Sequence, residues 1–411
     1  MFDKMQRVVI SGYGVNSSFG IGAEALQRGL DENISGVRYL DSLASYKGLQ
    51  CLIGATITEE LDVKSIPRVY RRSMGRMAIL GALAGLEAVQ DSGVSQEQLT
   101  GPRTGCIMGS TMGSASELED TFRMLLANNS LSEISGMQFF KCASHTVALN
   151  LAQLLGICGC VMSQSAACAS SLQAIGLGFQ LIRSGVLDMA FCGGAEELNA
   201  LVVGSFDCLF AASTSYNSNP QMSPRPFDAA RDGQVCGEGA GVMVLESLES
   251  ALSRKAKIYG EVIGYNTCGN SNHISQPDSK SIALCIKQAL ADAGIGPEKI
   301  DYVNAHATGT LQGDAAEAAA IRETLGDKPA VSSLKGGLAH TLGASGVIEL
   351  IASLMMMQNS IIYPTRNLEN PADDCSGIRH VTSKLNLPVN CFIKNCFAFG
   401  GINAALVCKK F

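Results

Sequence analysis

The stretch AVQDSGVSQEQL at residues 88–99 returns as ALADAGIGPEKI at residues 289–300, 201 positions later, with helix ends, glycines and acidic residues in matching places. Each copy then enters a short strand that ends in small or polar residues, GCIMGSTMG from Gly105 and YVNAHATGT from Tyr302. Farther on, each half presents an apolar strand, a small-residue turn and a buried helix: CVMSQSAACASSLQAIGLGFQLI in the first, AVSSLKGGLAHTLGASGVIELIASLMM in the second. Both halves are expected to close on an apolar strand carrying Gly-Gly, at Gly193-Gly194 and Gly400-Gly401. Units repeated at this scale point to an internal duplication. Strands followed by helices of ten or more residues imply parallel pairing with right-handed crossovers. The expected fold is therefore α/β, with two copies packed as α/β/α/β/α layers. The join is placed near SLESALSRKAK, the most charged stretch between the copies, dividing the chain into residues 1–250 and 251–411.

Outward from the repeat, Arg7 to Gly12 is an apolar strand and Ala23 to Leu30 fits the helix after it. A long, largely buried helix is expected from Pro67, with Gly93 as its stop. The 411 residues carry 31 Lys+Arg against 37 Asp+Glu, a net charge of −6, which excludes a basic nucleic-acid coat. With 46% hydrophobic and 17% charged residues the chain has material for a large core. The amino terminus lacks an apolar run ending at a small-residue cleavage site, so a cytoplasmic protein is expected. The stretches 147–162 and 348–363 fall short of the ~20 apolar residues a membrane span needs and are expected to be buried helices. Most of the 15 cysteines read as small buried hydrophobes, since no paired CxxC occurs.

Chemistry concentrates at a few positions. Cys168, in SQSAACASS, lies where an apolar strand turns directly into a helix. There, unpaired N–H groups and the helix dipole favour a thiolate, although a filler cysteine is the other reading. Histidine is scarce, five in all. His306 ends a strand in VNAHATGT, while His340, in GGLAHTLGASG, holds nearly the place that Cys168 holds in the first half. Pseudo-symmetry would bring the three together. His145 and His380 read as structural, and His273 as loop material. One Cys and two His also suggest zinc, but no CxxC or HxxxH pattern supports it, and no metal or cofactor is expected. A cysteine protease would leave one His without a role. Thioester exchange uses all three: the thiolate takes an acyl group, and two imidazole donors stabilise the enolate formed when a malonyl thioester loses CO2.

The glycine-rich GSTMG (109–113) and GEGAG (237–241) fit neither a phosphate loop nor a dinucleotide fingerprint, and close backbone packing explains them better. Met112 is either a flexible plug among small residues or ordinary core. Arg68, Arg71, Arg72 and Arg76 cluster at the start of the long helix, as a solvated face or as a basic patch that steers an acidic partner.

The sequence resembles the beta-ketoacyl-acyl-carrier-protein synthases, condensing enzymes of the thiolase superfamily, over essentially all 411 residues. The motifs that carry this are VVISGYGVNSSFG, SAACASS, GGAEE, SPRPFDAARDG, GEGAG, VNAHATGT, SSLKGGLAHTLGASG and NCFAFGGINAALV. SFDCLFAASTSYN is similar to the synthase I branch and RPFDAARDGQVCGEGAGVMVLE to synthase II.

The resemblance implies a thiolase-like duplicated fold, with Cys168 as acylated nucleophile and His306 and His340 assisting malonyl decarboxylation. It implies that Lys335 orients the surroundings of His340 through a network with Glu349. The N–H groups of Cys168 and Phe399 would form an oxyanion hole, with Phe399 also the gating aromatic. Thr308 and Thr310 would bind the pantetheine arm, and Met112 would help set acyl-chain length. Arg68, Arg71 and Arg72 would dock acyl carrier protein. A dimer is implied, either a homodimer or a heterodimer with a related ketosynthase or chain-length subunit. Family members commonly read HGTST where this chain has HATGT at 306–310, GH where it has Ala339-His340, and RDGF where it has RDGQ at 231–234. Two rivals remain: a coenzyme A thiolase using Cys396 as acid-base, and a non-catalytic chain-length subunit.

Overall fold

The computed structural model describes residues 5–271 and 273–411. In the first half, β1 (Val8–Ser17) is buried along its whole length. It extends beyond the expected Gly12 because the later strand Gly239–Ser247 pairs with it as far as Asn16. The helix expected from Pro67 is broken into a turn, Arg68–Arg71, and α1 (Arg76–Ser92). Tertiary contacts fix the break. Ser73 Oγ lies 2.6 Å from Asn150 Oδ1, and Gly75, extended in backbone, packs where a Cβ would collide with Ser114.

The half continues through β2 (Thr104–Gly109), α2 (Thr146–Leu155), β3 (Val161–Gln164), α3 (Ser170–Arg183), β4 (Met189–Glu196) and β5 (Gly239–Ser247). The second half repeats this with β6 (Gly260–Gly269), α4 (Ser279–Ala293), β7 (Tyr302–Asn304), α5 (Leu311–Leu325), β8 (Ala330–Ser332), α6 (Ser345–Asn359), β9 (Arg379–His380), β10 (Cys391–Ala398) and β11 (Ile402–Lys409). The repeated stretch ends both α1 and α4 on a left-handed glycine, Gly93 at φ 63° and Gly294 at φ 66°.

The strands run in the order β9-β8-β7-β10-β11-β6-β1-β5-β4-β2-β3. At the middle, β1 and β6 share only three residue pairs, Val8 with Val262, Val9 with Glu261 and Ile10 with Gly260. The sheet thus consists of two leaves joined by a short ladder. Alternation along each strand feeds two cores. On β4, Ala190 and Cys192 join the central core, and Met189 and Phe191 join an outer one beneath α1 and α2. On β10, Phe392, Cys396 and Ala398 face the central core, and Cys391 and Ile393 face the core beneath α4 and α5. The central core holds α3 and α6, through residues such as Ile175 and Ile351, together with residues of both leaves, such as Ile10 and Leu406. Five layers result, as expected.

Two local expectations fail. Residues 147–162 are not one helix: α2 stops at Leu155 on left-handed Gly156, and the chain re-enters the sheet as β3, whose Val161 and Met162 are exposed. Gly193-Gly194 lie inside β4, where a Cβ on Gly193 would strike the Gly241 carbonyl, whereas Gly400-Gly401 form the turn between β10 and β11 at φ 92° and 73°. Among the described residues no helix is long and apolar enough to cross a membrane.

Candidate active site

Cys168 sits on the turn from β3 into α3. The turn is tight enough to hold Ala167 at φ 47°, a conformation that small side chains tolerate best. Ser170 locks it, accepting from the Ala166 N–H at 2.9 Å and donating to the Ala167 carbonyl at 2.7 Å. Gly109 and Gly194 allow β2 and β4 to approach the start of α3, where side chains would collide with Ser170 and Ser171.

His340 arrives from the other half on a short bridge, its N–H donating to the Val235 carbonyl at 2.8 Å and its carbonyl accepting from the Gly237 N–H at 2.9 Å. Its Nε2 lies 2.9 Å from Cys168 Sγ and its Nδ1 2.8 Å from Ser345 Oγ. The His306 ring stands edge-on to the His340 ring, centroids 5.2 Å apart. The three donor atoms of Cys168, His306 and His340 lie within 4.8 Å of one another, all buried. The structure therefore brings together the three residues singled out in the sequence. A tetrahedral zinc ion would hold sulfur and nitrogen ligands roughly 3.5 Å apart. The 2.9 Å contact is instead that of a hydrogen bond.

The loop carrying His306 is held by two buried carboxylates of α5 that sequence reading missed. Glu317 accepts from the N–H groups of His306 at 2.9 Å and Ala307 at 2.7 Å, and Asp314 accepts from those of Thr308 and Gly309. Burial raises both carboxyls, Asp314 to about 7. Their spacing of three on one helix is the signal that was available. Glu196, also buried, accepts from the N–H groups of Thr111, Met112 and Gly343, tying the Met112 turn to the turn after His340.

A cavity of about 380 Å³ opens onto Cys168 and His306 and is lined further by Thr308, Thr310, Gln234 and Phe399. Thr308 and Thr310 face each other across 3.2 Å. The backbone N–H groups of Phe399 and of Cys168 itself both favour the charged form of the sulfur. Met112 does not line this cavity. It packs in a separate cluster with Leu40, Leu198 and Phe206. Cys396 is fully buried and is not among the lining residues.

Electrostatics correct one expectation. The helix end does not make Cys168 a resting thiolate: burial pushes the thiol up to about 12, outweighing Lys335 and the two N–H groups. Burial, followed by the charge of Lys335, holds both His306 and His340 well below their ordinary range. Sulfur and both rings therefore rest uncharged, and the sulfur must lose its proton as it attacks.

Lys335 Nζ lies 2.6 Å from Glu349 Oε1, the pairing that the expected network calls for. The same carboxylate is shared. Lys394 Nζ, from β10, lies 2.5 Å from its Oε2, a partner that sequence reading missed.

Arg68 and Arg72 are exposed and Arg71 half-buried on the turn before α1, none lining the cavity. Arg76 leaves that cluster to pair with Glu238 at 2.6 Å. His145 is exposed at the start of α2, and His273 lies exposed in its loop. His380 pairs with the Cys375 carbonyl at 2.8 Å and packs against Phe227.

Residues 5–251 match the family described as Beta-ketoacyl synthase, N-terminal domain, and residues 259–369 its C-terminal domain. The chain is 36% identical over 409 residues to the 3-oxoacyl-[acyl-carrier-protein] synthase 1 of Haemophilus influenzae, covering 99% of this chain and 100% of that one. Its fold superimposes on the crystal structure of a beta-ketoacyl synthase from Burkholderia phymatum with a TM-score of 0.96, at 34% identity, covering 99% and 100% of the two chains. One chain of the structure described as a type II PKS acyl-carrier protein in complex with its ketosynthase bound to the hexaketide is similar at 28% identity, TM-score 0.91 and the same coverage.

Proposed function

The chain belongs to the beta-ketoacyl synthase family and is a condensing enzyme with a Cys-His-His site, and on that premise we propose that it joins acyl chains to malonyl units, both carried on acyl carrier protein. The observation that carries the reading is the 2.9 Å contact of His340 Nε2 with Cys168 Sγ, beside a second neutral imidazole in one cavity.

In the first half-reaction Cys168 Sγ attacks the thioester carbon and its proton passes to His340 Nε2. The new C–S bond forms, the old one breaks, and the proton leaves with the carrier thiol. In the second, malonyl carrier loses CO2. The electron pair moves into an enolate whose oxygen accepts from the two imidazoles, and the α-carbon attacks the acyl-cysteine carbon, breaking its C–S bond and releasing the Cys168 thiolate, which regains a proton from water. His340 thus needs Nε2 as acceptor first and donor afterwards. The Ser345 hydroxyl at Nδ1 can accept or donate and so suits both tautomers. The Phe399 and Cys168 N–H groups would hold the thioester oxygen and Thr308 and Thr310 the pantetheine arm, and Met112, outside that cavity in the cluster of Phe206, whose ring lies 5.6 Å from that of Phe399, would border the far end of the acyl chain.

Arg68, Arg71 and Arg72 are proposed as the carrier's docking surface. β3 ends the sheet with Val161 and Met162 exposed, an edge suited to pairing with a second copy or a related ketosynthase or chain-length chain. The reading places the protein in the cytoplasm, in fatty-acid or specialised polyene- or polyketide-like lipid synthesis, with no metal or cofactor required.

The test is to incubate the protein with carrier-bound acyl chains of graded length and unsaturation and to read adducts by intact mass. One acyl group on Cys168 is expected, followed by a 3-oxoacyl product and CO2 when malonyl carrier is added. Product from acetyl-coenzyme A without CO2 would reverse the reading. A second expectation concerns Gly309, held at φ 90° where an added Cβ would meet the Gly233 carbonyl. Gly309→Ala should cost about 1–3 kcal/mol of stability and displace the two threonines, raising KM for acyl carrier roughly tenfold with a smaller change in kcat. An unchanged KM would remove them from arm binding.

A further inference from the structure

The alternation of β10 places Lys394 on the face that carries Phe392, Cys396 and Ala398 into the central core. Lysine there is fully buried, as is Lys335, and the two ammonium groups share one carboxylate: Lys335 Nζ at 2.6 Å from Glu349 Oε1 and Lys394 Nζ at 2.5 Å from Oε2. A buried carboxylate balances one cation. The second is not balanced by Glu349, and the next carboxylate acting on Lys394 is Glu317, in a region where charge is poorly screened. The parallel register of β7 and β10 sets Lys394 beside Asn304, and the chain reaches His306 two residues later.

We propose that Lys394 is a positioning residue: by sharing Glu349 with Lys335 it leaves beside His306 and His340 one positive charge that Glu349 does not balance and so keeps both rings uncharged, as donors to a developing enolate. The role in the reaction rests on the condensing function above; the charge count does not.

Among the described residues the titratable and charged groups facing the two rings are few. Lys335 approaches from the turn after β8, Lys394 and Cys396 from β10, Glu349 from α6, and Cys168 from the start of α3. Tyr302 on β7 is buried with its hydroxyl 2.9 Å from Ser332 Oγ. Glu317 lies on the other face of β10, toward α5, with both oxygens engaged by the N–H groups of His306 and Ala307 and by Asn395. The charge of Lys394 lowers the proton affinity of both histidines. Lys394 is held protonated above its ordinary range: burial, the largest influence, acts against it, but Glu349, Cys396 and Glu317 together prevail. Lys335 is pushed below its ordinary range by burial, with Glu349 opposing and Lys394 adding to the fall, so Lys394 is the more firmly held of the two cations.

The experiment counts charge. Wild type carries two cations on Glu349, Lys394→Met one, and the double variant Lys394→Met/Glu349→Gln again leaves one cation uncompensated. With imidazole carbons labelled, NMR titration of only five histidines is assignable through His306→Ala and His340→Ala. In Lys394→Met the two rings should take up protons at a proton concentration at least tenfold below that needed in wild type. In Lys394→Arg and in the double variant they should behave as in wild type. The acid limb of malonyl-carrier decarboxylation should move with them. Equal titration of wild type and a folded Lys394→Met protein overturns the proposal, as does a double variant that follows the single one. If Lys394→Met does not fold, the double variant and Lys394→Arg still decide, since a shift in either contradicts the count. A titration that moves as expected in a protein without decarboxylase activity sinks the condensing reading and leaves the charge argument standing.

Discussion

Cys168→Ala is expected to carry no acyl group at all after incubation with acyl carrier thioesters, and its condensation rate should fall by at least about 10³-fold. The sulfur forms the bond that holds the chain between the two half-reactions, and no neighbour can replace it. Cys396, the other thiol to which the sequence could give a chemical role, is fully buried and does not line the cavity. Removing the sulfur leaves the imidazoles in place, so decarboxylation of malonyl carrier should persist. The readouts are intact mass for the adduct and CO2 release for the second step. Undiminished labelling of the variant would overturn the nucleophile assignment, and joint loss of both activities in a folded protein would mean that the steps are not separable as proposed.

The two histidines are expected to part company in the same assays. His306 does not touch the sulfur, so His306→Ala should lower decarboxylation by about 10²–10³-fold while single-turnover acylation falls far less. His340 touches it at 2.9 Å, so His340→Ala should impair both steps. Because both rings are held well below their ordinary range and stay neutral there, wild-type decarboxylation should show no acid limb near the ordinary histidine value of 6.5. Identical profiles for the two variants would refute the division of labour.

What the sequence reveals depends on how locally each feature is encoded. Gly93 and Gly294 end their helices in the left-handed region, a conformation that needs only the absence of a side chain, and the repeat around them was readable for that reason. Cys168, His306 and His340 were readable because scarce or reactive residues stand in small-residue turns after strands. The break before α1 was not, since Ser114 and Asn150, far along the chain, decide it. Dipole reasoning gave Cys168 a thiolate, because it sees the helix end and not the burial that outweighs it. Lys394 looks like an interruption in CFIKNCFA until Glu349, 45 residues away, is seen beneath it.

The three-pair ladder between β1 and β6 has a consequence for the biology of the chain. The sulfur is supplied on one side of that seam and both imidazoles on the other, so neither half of the chain alone holds the parts for condensation: one lacks the imidazoles and the other the sulfur. Turnover is then a direct gauge of completed assembly. Two fragments cut between β5 and β6 and expressed separately would regain activity only by complementation.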